Sequence, residues 1–191
     1  MTEQTSAPDP FLTVPDRARV LEEMPDREAI RDCLYRYCRG IDRCDADLLR
    51  SVYWPDALDS HAVPHKPPLN AYYFVERVIP ILKTMRVTQH QITNVLIRID
   101  GSQAKCESYF WAVHQEERQG EQQDVHAAGR YLDRFQLREG QWRIAHRHVL
   151  IDWFRVGDKA SDWETGMFGK PSEMGDRFGR DRSNTFFSPL D

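Results

Sequence analysis

The sequence has no excess of positive charge: 26 lysines and arginines stand against 30 aspartates and glutamates, for a formal net charge of −4. A chain balanced in this way offers no basic stripe to nucleic acid and no polybasic run to a membrane surface. It also lacks any apolar stretch near the roughly 18–20 residues that span a bilayer. The opening segment, Met1 to Pro10, is polar and acidic, without the charged start and apolar centre of an export signal. A cytoplasmic setting is therefore expected. Cysteine is scarce. Cys33, Cys38, Cys44 and Cys106 are the whole complement, and no two form a C-x-x-C pair. That is no disulfide framework, and Cys33 and Cys38 read as small core residues in a reducing compartment. G-x-G-x-x-G, the P-loop, G-x-S-x-G and H-E-x-x-H are all missing, so nucleotide binding and an elbow serine have no support.

What is present is enough for one globular domain. The chain has 191 residues, of which 40% are hydrophobic and 29% charged, ordinary proportions for a single core. Residues 1–25, with Pro8, Pro10, Pro15 and Pro25, read as an N-terminal arm with at most a helical turn near Arg17–Glu23. Asp26 is placed to cap a helix whose buried stripe is Ile30, Cys33, Leu34, Tyr37, Cys38 and Ile41. A short helix is expected from Asp45 to Tyr53, ended by Trp54-Pro55-Asp56, and then a loop as far as Pro68. A third helix is expected from Asn70 to Met85, kinked or split at Pro80. From Thr88 the period changes to two. Strands are expected over Thr88–Ile99, Ala104–Glu116, Val125–Leu137 and Gln141–Trp153, with turns at Asp100-Gly101 and Glu139-Gly140. Helices followed by long strands predict an α+β fold, a body over 26–156 in which N-terminal helices pack on a strongly curved antiparallel or mixed sheet. The stretch 157–191 carries scattered aromatics and is expected as an extended tail docked on the body or on a partner subunit.

Histidine and carboxylate are the residues with chemistry to offer. Asp42 ends the first helix beside the apolar stripe, where a half-buried carboxylate needs a partner. His90 shares a strand face with Ile92, Asn94 and Leu96, and His114 shares one with Cys106, Ser108, Phe110 and Ala112. Each alone is readily a solvated Asp or a satisfied core histidine. Together, two histidines and a carboxylate facing one interior suit acid–base work, since an Asp can fix a His tautomer and steady its imidazolium. His146-Arg147-His148 and His61-x-x-x-His65 raise metal binding as a competitor, but no third ligand stands at a convincing spacing.

The run Ala29–Tyr37 followed by Gly40-Ile41-Asp42 resembles the first helix of SnoaL-like proteins, members of the nuclear-transport-factor-two-like superfamily. Thr88-Gln89-His90 with Asn94, and Tyr131–Phe135 with Glu139–Ile144, resemble that family's first long strand and closing hairpin. The resemblance covers roughly residues 27–154 and implies a cone-shaped α+β barrel around one apolar pocket. Within the superfamily, hexachlorocyclohexane dehydrochlorinase and scytalone dehydratase use an Asp–His pair, and Asp42 and His90 fall on those positions. Ala112-Val113-His114-Gln115 is similar to the dehydratase's second histidine motif. The chain departs from the pattern at Tyr131, where the dehydratase has asparagine, at Ser60-His61, where it has a water-holding tyrosine, and at Tyr37, where the dehydrochlorinase has lysine.

The resemblance implies a cofactor-independent lyase. His90, oriented by Asp42, would remove a proton from carbon, while His114 with Tyr37 or Tyr131 would help an oxygen leaving group depart as water or a small fragment such as formaldehyde. Tyr53, Trp54, Asn94, Phe110, Arg134 and His148 are the expected substrate contacts, with Tyr35 and Trp111 as further aromatic surface for a hydrophobic, aromatic small molecule. Neither nucleic acid nor membrane is expected as a partner. Tyr109, Trp111 and Val113 alternate with the inward residues and would form an apolar outer patch, so a homodimer or trimer is expected. The alternatives are an isomerase or polyketide-cyclase type of enzyme, and a non-catalytic binding or assembly barrel, which would have no use for an Asp–His–His set.

Overall fold

The computed structural model describes residues 16–61, 67–157, 160–162 and 175–186. Helix α1 (Arg17–Arg43) and the short α2 (Ala46–Ser51) come first, then strands β1 (Tyr53–His61) and β2 (Leu69–Asn70) and helix α3 (Ala71–Thr84). Four long strands follow: β3 (Val87–Asp100), β4 (Gln103–Arg118), β5 (Glu121–Arg138) and β6 (Gln141–Val156). A one-turn helix, α4 (Ser183–Phe186), lies in the tail. The six strands form one mixed sheet in the order β2-β1-β6-β5-β4-β3. All neighbours are antiparallel except β1 and β6, which run parallel. The sheet stays open, and the helices cover its inner face. The core lies between Ile30, Leu34 and Tyr37 of α1, Val75 and Ile79 of α3, and Phe110, Tyr131, Phe135 and Ile144 of the sheet.

Residues 17–25 are the first turns of α1 rather than an arm. Pro25 lies inside the helix and removes one backbone donor. The segment is held instead by side chains: Arg19 donates to the Ile99 carbonyl at 2.7 Å and Arg27 to the Ile97 carbonyl at 3.0 Å. Glu23 joins both arginines. Asp26 sits within the helix and accepts the Trp142 indole N–H at 2.8 Å. Pro80 does not split α3 either, which starts under an Asn70 cap accepting from the Tyr72 and Tyr73 amides.

The expected loop after Trp54 is a strand. Pro55 reads as a terminator, yet β1 pairs along β6 with a shift in register between Tyr53 and Leu58, and a bulge of this kind is where a sheet accepts proline. A second irregularity matters for the site. The β3–β4 register shifts between Thr93 and Leu96, where Asn94 has φ 47°. The extra residue reverses the alternation, so β3 points inward at Thr88, His90 and Ile92 and then at Val95, Ile97 and Ile99. On β5, Gly129 stands where a Cβ would fall 2.0 Å from the Leu150 carbonyl oxygen and 3.0 Å from the Phe110 ring. Only glycine lets β5 and β6 approach there.

Candidate active site

The last turn of α1 delivers Asp42 against the start of β3. Its Oδ1 lies 2.7 Å from His90 Nδ1, and its Oδ2 accepts the His90 backbone N–H at 3.0 Å. The Thr88 hydroxyl donates to Oδ1 at 3.4 Å. A carboxylate engaged by Nδ1–H fixes that tautomer and leaves Nε2 of His90 as the nitrogen with a free electron pair, the arrangement of a general base. His114, brought from β4, lies edge-on to His90 with ring centroids 5.2 Å apart. Burial, reinforced by His90 beside it, lowers the His114 imidazole to about 4. At neutral pH it is therefore uncharged, able to donate one hydrogen bond but without a spare proton.

The tail supports Asp42 from behind. Arg177 is buried and donates to the Asp42 carbonyl at 3.1 Å, to the Met85 carbonyl at 2.7 Å and towards Cys44 Sγ at 2.7 Å. Asp181, which accepts the Ser183 hydroxyl and the Asp176 and Ser183 amides, holds the turn that presents Arg177. Thus 175–186 docks on the end of α1. Of the large apolar side chains in the tail, Trp163, Met167, Phe168 and Phe187 lie outside the described residues.

Further along the inner face, Phe110 stacks on Tyr131 with centroids 4.5 Å apart, and Tyr37 meets Tyr131 edge-on at 5.6 Å. Arg147 passes between Tyr37 and Tyr131, its guanidinium carbon 3.9 and 4.0 Å from the two ring centroids. It forms two hydrogen bonds to Asp133, at 2.8 and 2.7 Å. Burial raises the Asp133 carboxyl, against the pull of Arg147. Burial opposes the Arg147 charge, but Asp133 holds the guanidinium well above its usual value. Burial also raises the phenols of Tyr37, Tyr53 and Tyr131, keeping them protonated.

One group escaped the sequence reading. Asp59 and His61, two apart on β1, share its inner face, and His61 Nδ1 bonds Asp59 Oδ1. Tyr53 donates to the other Asp59 oxygen at 2.8 Å, and the Tyr37 hydroxyl lies 3.2 Å from His61 Nε2. The signal available was D-x-H, which places both side chains on one face only if the segment is a strand; Pro64, Pro67 and Pro68 argued for a loop. His65 lies outside the described residues.

Asp42, His90, His114, Tyr37, Tyr131, Tyr53 and Phe110 thus face the same interior of the sheet. The remaining expected contacts do not. Asn94 is exposed because the bulge on β3 turns it out. Arg134 and His148 lie on the outer side of β5 and β6, and His146 faces outward with them, opposite Arg134. In the H-x-H run it is the middle residue, Arg147, that points in. Trp54 is stacked against Arg138 and Arg143, at 5.0 and 4.8 Å, and donates to the Gln136 carbonyl. Tyr35 is exposed, and Trp111 lies on the outer face against Trp153. Among the described residues no three His, Cys, Asp or Glu side chains gather as a metal site, and no helix is long and apolar enough to cross a membrane.

A SnoaL-like domain model matches residues 22–148. No curated protein matches the chain. Solved structures do. The Kfla4162 protein of Kribbella flavida is 19% identical, with 69% of this chain and 94% of that one covered and a TM-score of 0.63. Hexachlorocyclohexane dehydrochlorinase LinA-type3 of Novosphingobium barchaimii is 19% identical over 72% of this chain and 94% of its own, with a TM-score of 0.61. A provisionally named scytalone dehydratase of Novosphingobium aromaticivorans is 20% identical over 74% and 97%, also at 0.61. At these identities the likeness is one of fold.

Proposed function

The chain belongs to the SnoaL-like family, and from that premise we propose that it is a lyase that eliminates an oxygen leaving group from a hydrophobic, aromatic small molecule using its own acid–base side chains. The observation that carries the reading is the Asp42–His90 pair. A buried carboxylate holds one imidazole nitrogen at 2.7 Å, so the other nitrogen is available to take a proton from carbon. The imidazolium that forms is steadied by the Asp42 charge. His114, neutral beside it, donates a hydrogen bond to the carbonyl or leaving oxygen. The stacked Phe110 and Tyr131 rings and the Tyr37 ring supply an aromatic wall, a surface on which an aryl group packs well. The reading asks for no metal or organic cofactor. The names of the dehydrochlorinase and of the provisionally named dehydratase above are those of eliminating enzymes, which agrees with the reaction class and leaves the leaving group to this chain's own residues.

The outer face of the sheet carries a second part of the reading. Tyr109, Trp111 and Trp153 are 39%, 48% and 45% exposed there, beside a groove lined by Gln89, Gln91, Trp111, Val113 and His126. An apolar surface of this kind calls for a cover, and we read it as the contact between copies of the chain.

The test of the activity is to incubate the protein with aryl β-hydroxyketones and aryl diols. Product is followed by the absorbance of the conjugated alkene and by trapping released formaldehyde. The expected result is conjugated product at a rate unchanged by EDTA. Loss of turnover to the chelator, restored by a metal, would overturn the cofactor-free reading.

A further inference from the structure

Two Asp–His pairs face the interior of this sheet, and the elimination uses only one. The second, Asp59–His61, is built as carefully as the first. Asp59 is 2% exposed, so its charge needs compensation. Tyr53 satisfies one carboxylate oxygen at 2.8 Å and His61 Nδ1 the other. Phe74 of α3 stacks on the imidazole with centroids 4.2 Å apart and planes 14° from parallel, fixing the plane of the ring. That plane aims Nε2 at the Tyr37 hydroxyl, 3.2 Å away. Tyr37 is 1% exposed, whereas the His61 side chain keeps 32% of its surface.

We propose that Tyr37, His61 and Asp59 form a proton relay in which Tyr37 gives its hydroxyl proton to the leaving oxygen and His61 replaces it. The proposal rests on the elimination reading. Tyr37 is the catalytic acid, and His61 is a positioning residue that acts through it. The relay starts with His61 as an imidazolium, Nδ1–H on Asp59 and Nε2–H donated to the Tyr37 oxygen. His90 takes the carbon-bound proton, and the electrons of that C–H bond become the new C=C bond. The C–O bond breaks with its electron pair on oxygen, which takes the Tyr37 proton and leaves as water. Tyr37 takes the Nε2 proton, and His61 ends neutral. One proton has been gained by His90 and one lost by His61, and exchange with solvent resets both. The half-open His61 can be recharged from water, which the buried His114, held neutral, is poorly placed to do. Among the described residues, the charged and titratable groups that face His61 include Asp59 and, through it, Tyr53 on β1, Tyr37 on α1 and Asp133 on β5, with Arg147 of β6 behind Tyr37; Phe74 stacks on it from α3.

The experiment compares an aryl β-hydroxyketone, whose hydroxide needs a proton to leave, with its β-para-nitrophenoxy counterpart, whose leaving group does not. His61→Gln and Tyr37→Phe should slow the first by about 10²-fold and the second by less than about 3-fold. Equal losses on both compounds would overturn the relay. Should His61→Gln fail to fold, Tyr37→Phe, which keeps the ring, carries the same comparison. Wild type inert on both compounds would instead defeat the elimination reading. The relay is then read by NMR of isotope-labelled histidine in wild type: a His61 titration displaced by Tyr37→Phe supports the coupling, and one that does not move overturns it.

Discussion

Arg147 and Asp133 meet through two hydrogen bonds, at 2.8 and 2.7 Å, with neither side chain exposed to solvent. The pair holds the floor of the site, since Tyr37 and Tyr131 lie on either side of the guanidinium. Removing one member strands a buried charge. Asp133→Asn or Arg147→Met should each cost about 3–5 kcal/mol in denaturant unfolding, while Asp133→Leu combined with Arg147→Met should recover most of that loss. Single changes that unfold no more easily than wild type would show the pair to be solvated.

His114 makes stability depend on pH. Its imidazole is depressed from 6.5 to about 4 in the folded chain. Between those values the unfolded chain binds a proton that the folded chain refuses, so stability is whole above the unfolded value and is lost as pH falls towards the folded one. The full loss is on the order of 3 kcal/mol. Urea titrations across that window should show the decline in wild type and a shallower one in His114→Gln. Identical slopes would remove His114 as its source.

Gly129 tests the packing of β5 on β6. Alanine there drives a Cβ into the Leu150 carbonyl oxygen, a backbone atom that cannot step aside. Gly129→Ala should destabilise by about 3 kcal/mol or more, at or beyond the upper end of overpacking costs. It should also weaken the stacking of Phe110 on Tyr131. A melting temperature equal to wild type would contradict the strand spacing.

The outer face predicts association. Light scattering should give a dimer or trimer for wild type, and Trp111→Glu with Trp153→Glu should yield the monomer with the fold intact by circular dichroism. A wild-type monomer at micromolar concentration would refute the reading.

The sequence made the inner face of β4 legible, because Cys106, Ser108, Phe110, Ala112 and His114 keep a strict period of two. Asp42 and His90 were legible for the same reason, each lying in phase with an apolar stripe. What was hidden depended on broken phase. The bulge at Asn94 reverses β3, and no local residue announces it, so Asn94 and Leu96 seemed to share the face of His90. The shift in β1 lets a proline-flanked segment join the sheet and brings in Asp59 and His61. In His146-Arg147-His148 the pattern alone marks neither face as inner. Only the pairing of Arg147 opposite Asp133 shows which side is buried. The helical start at Arg17 was masked by Pro25 and depends on arginines reaching carbonyls on β3.

The central claim is that His90, held by Asp42, takes a proton from carbon. The measurement is the rate of elimination from an aryl β-hydroxyketone and its α-deuterated form in wild type and His90→Ala, with the fold checked by circular dichroism. Wild type should show a primary isotope effect, and His90→Ala should lose about 10²–10⁴-fold in kcat with substrate binding little changed. A folded His90→Ala that turns over at the wild-type rate would contradict the account.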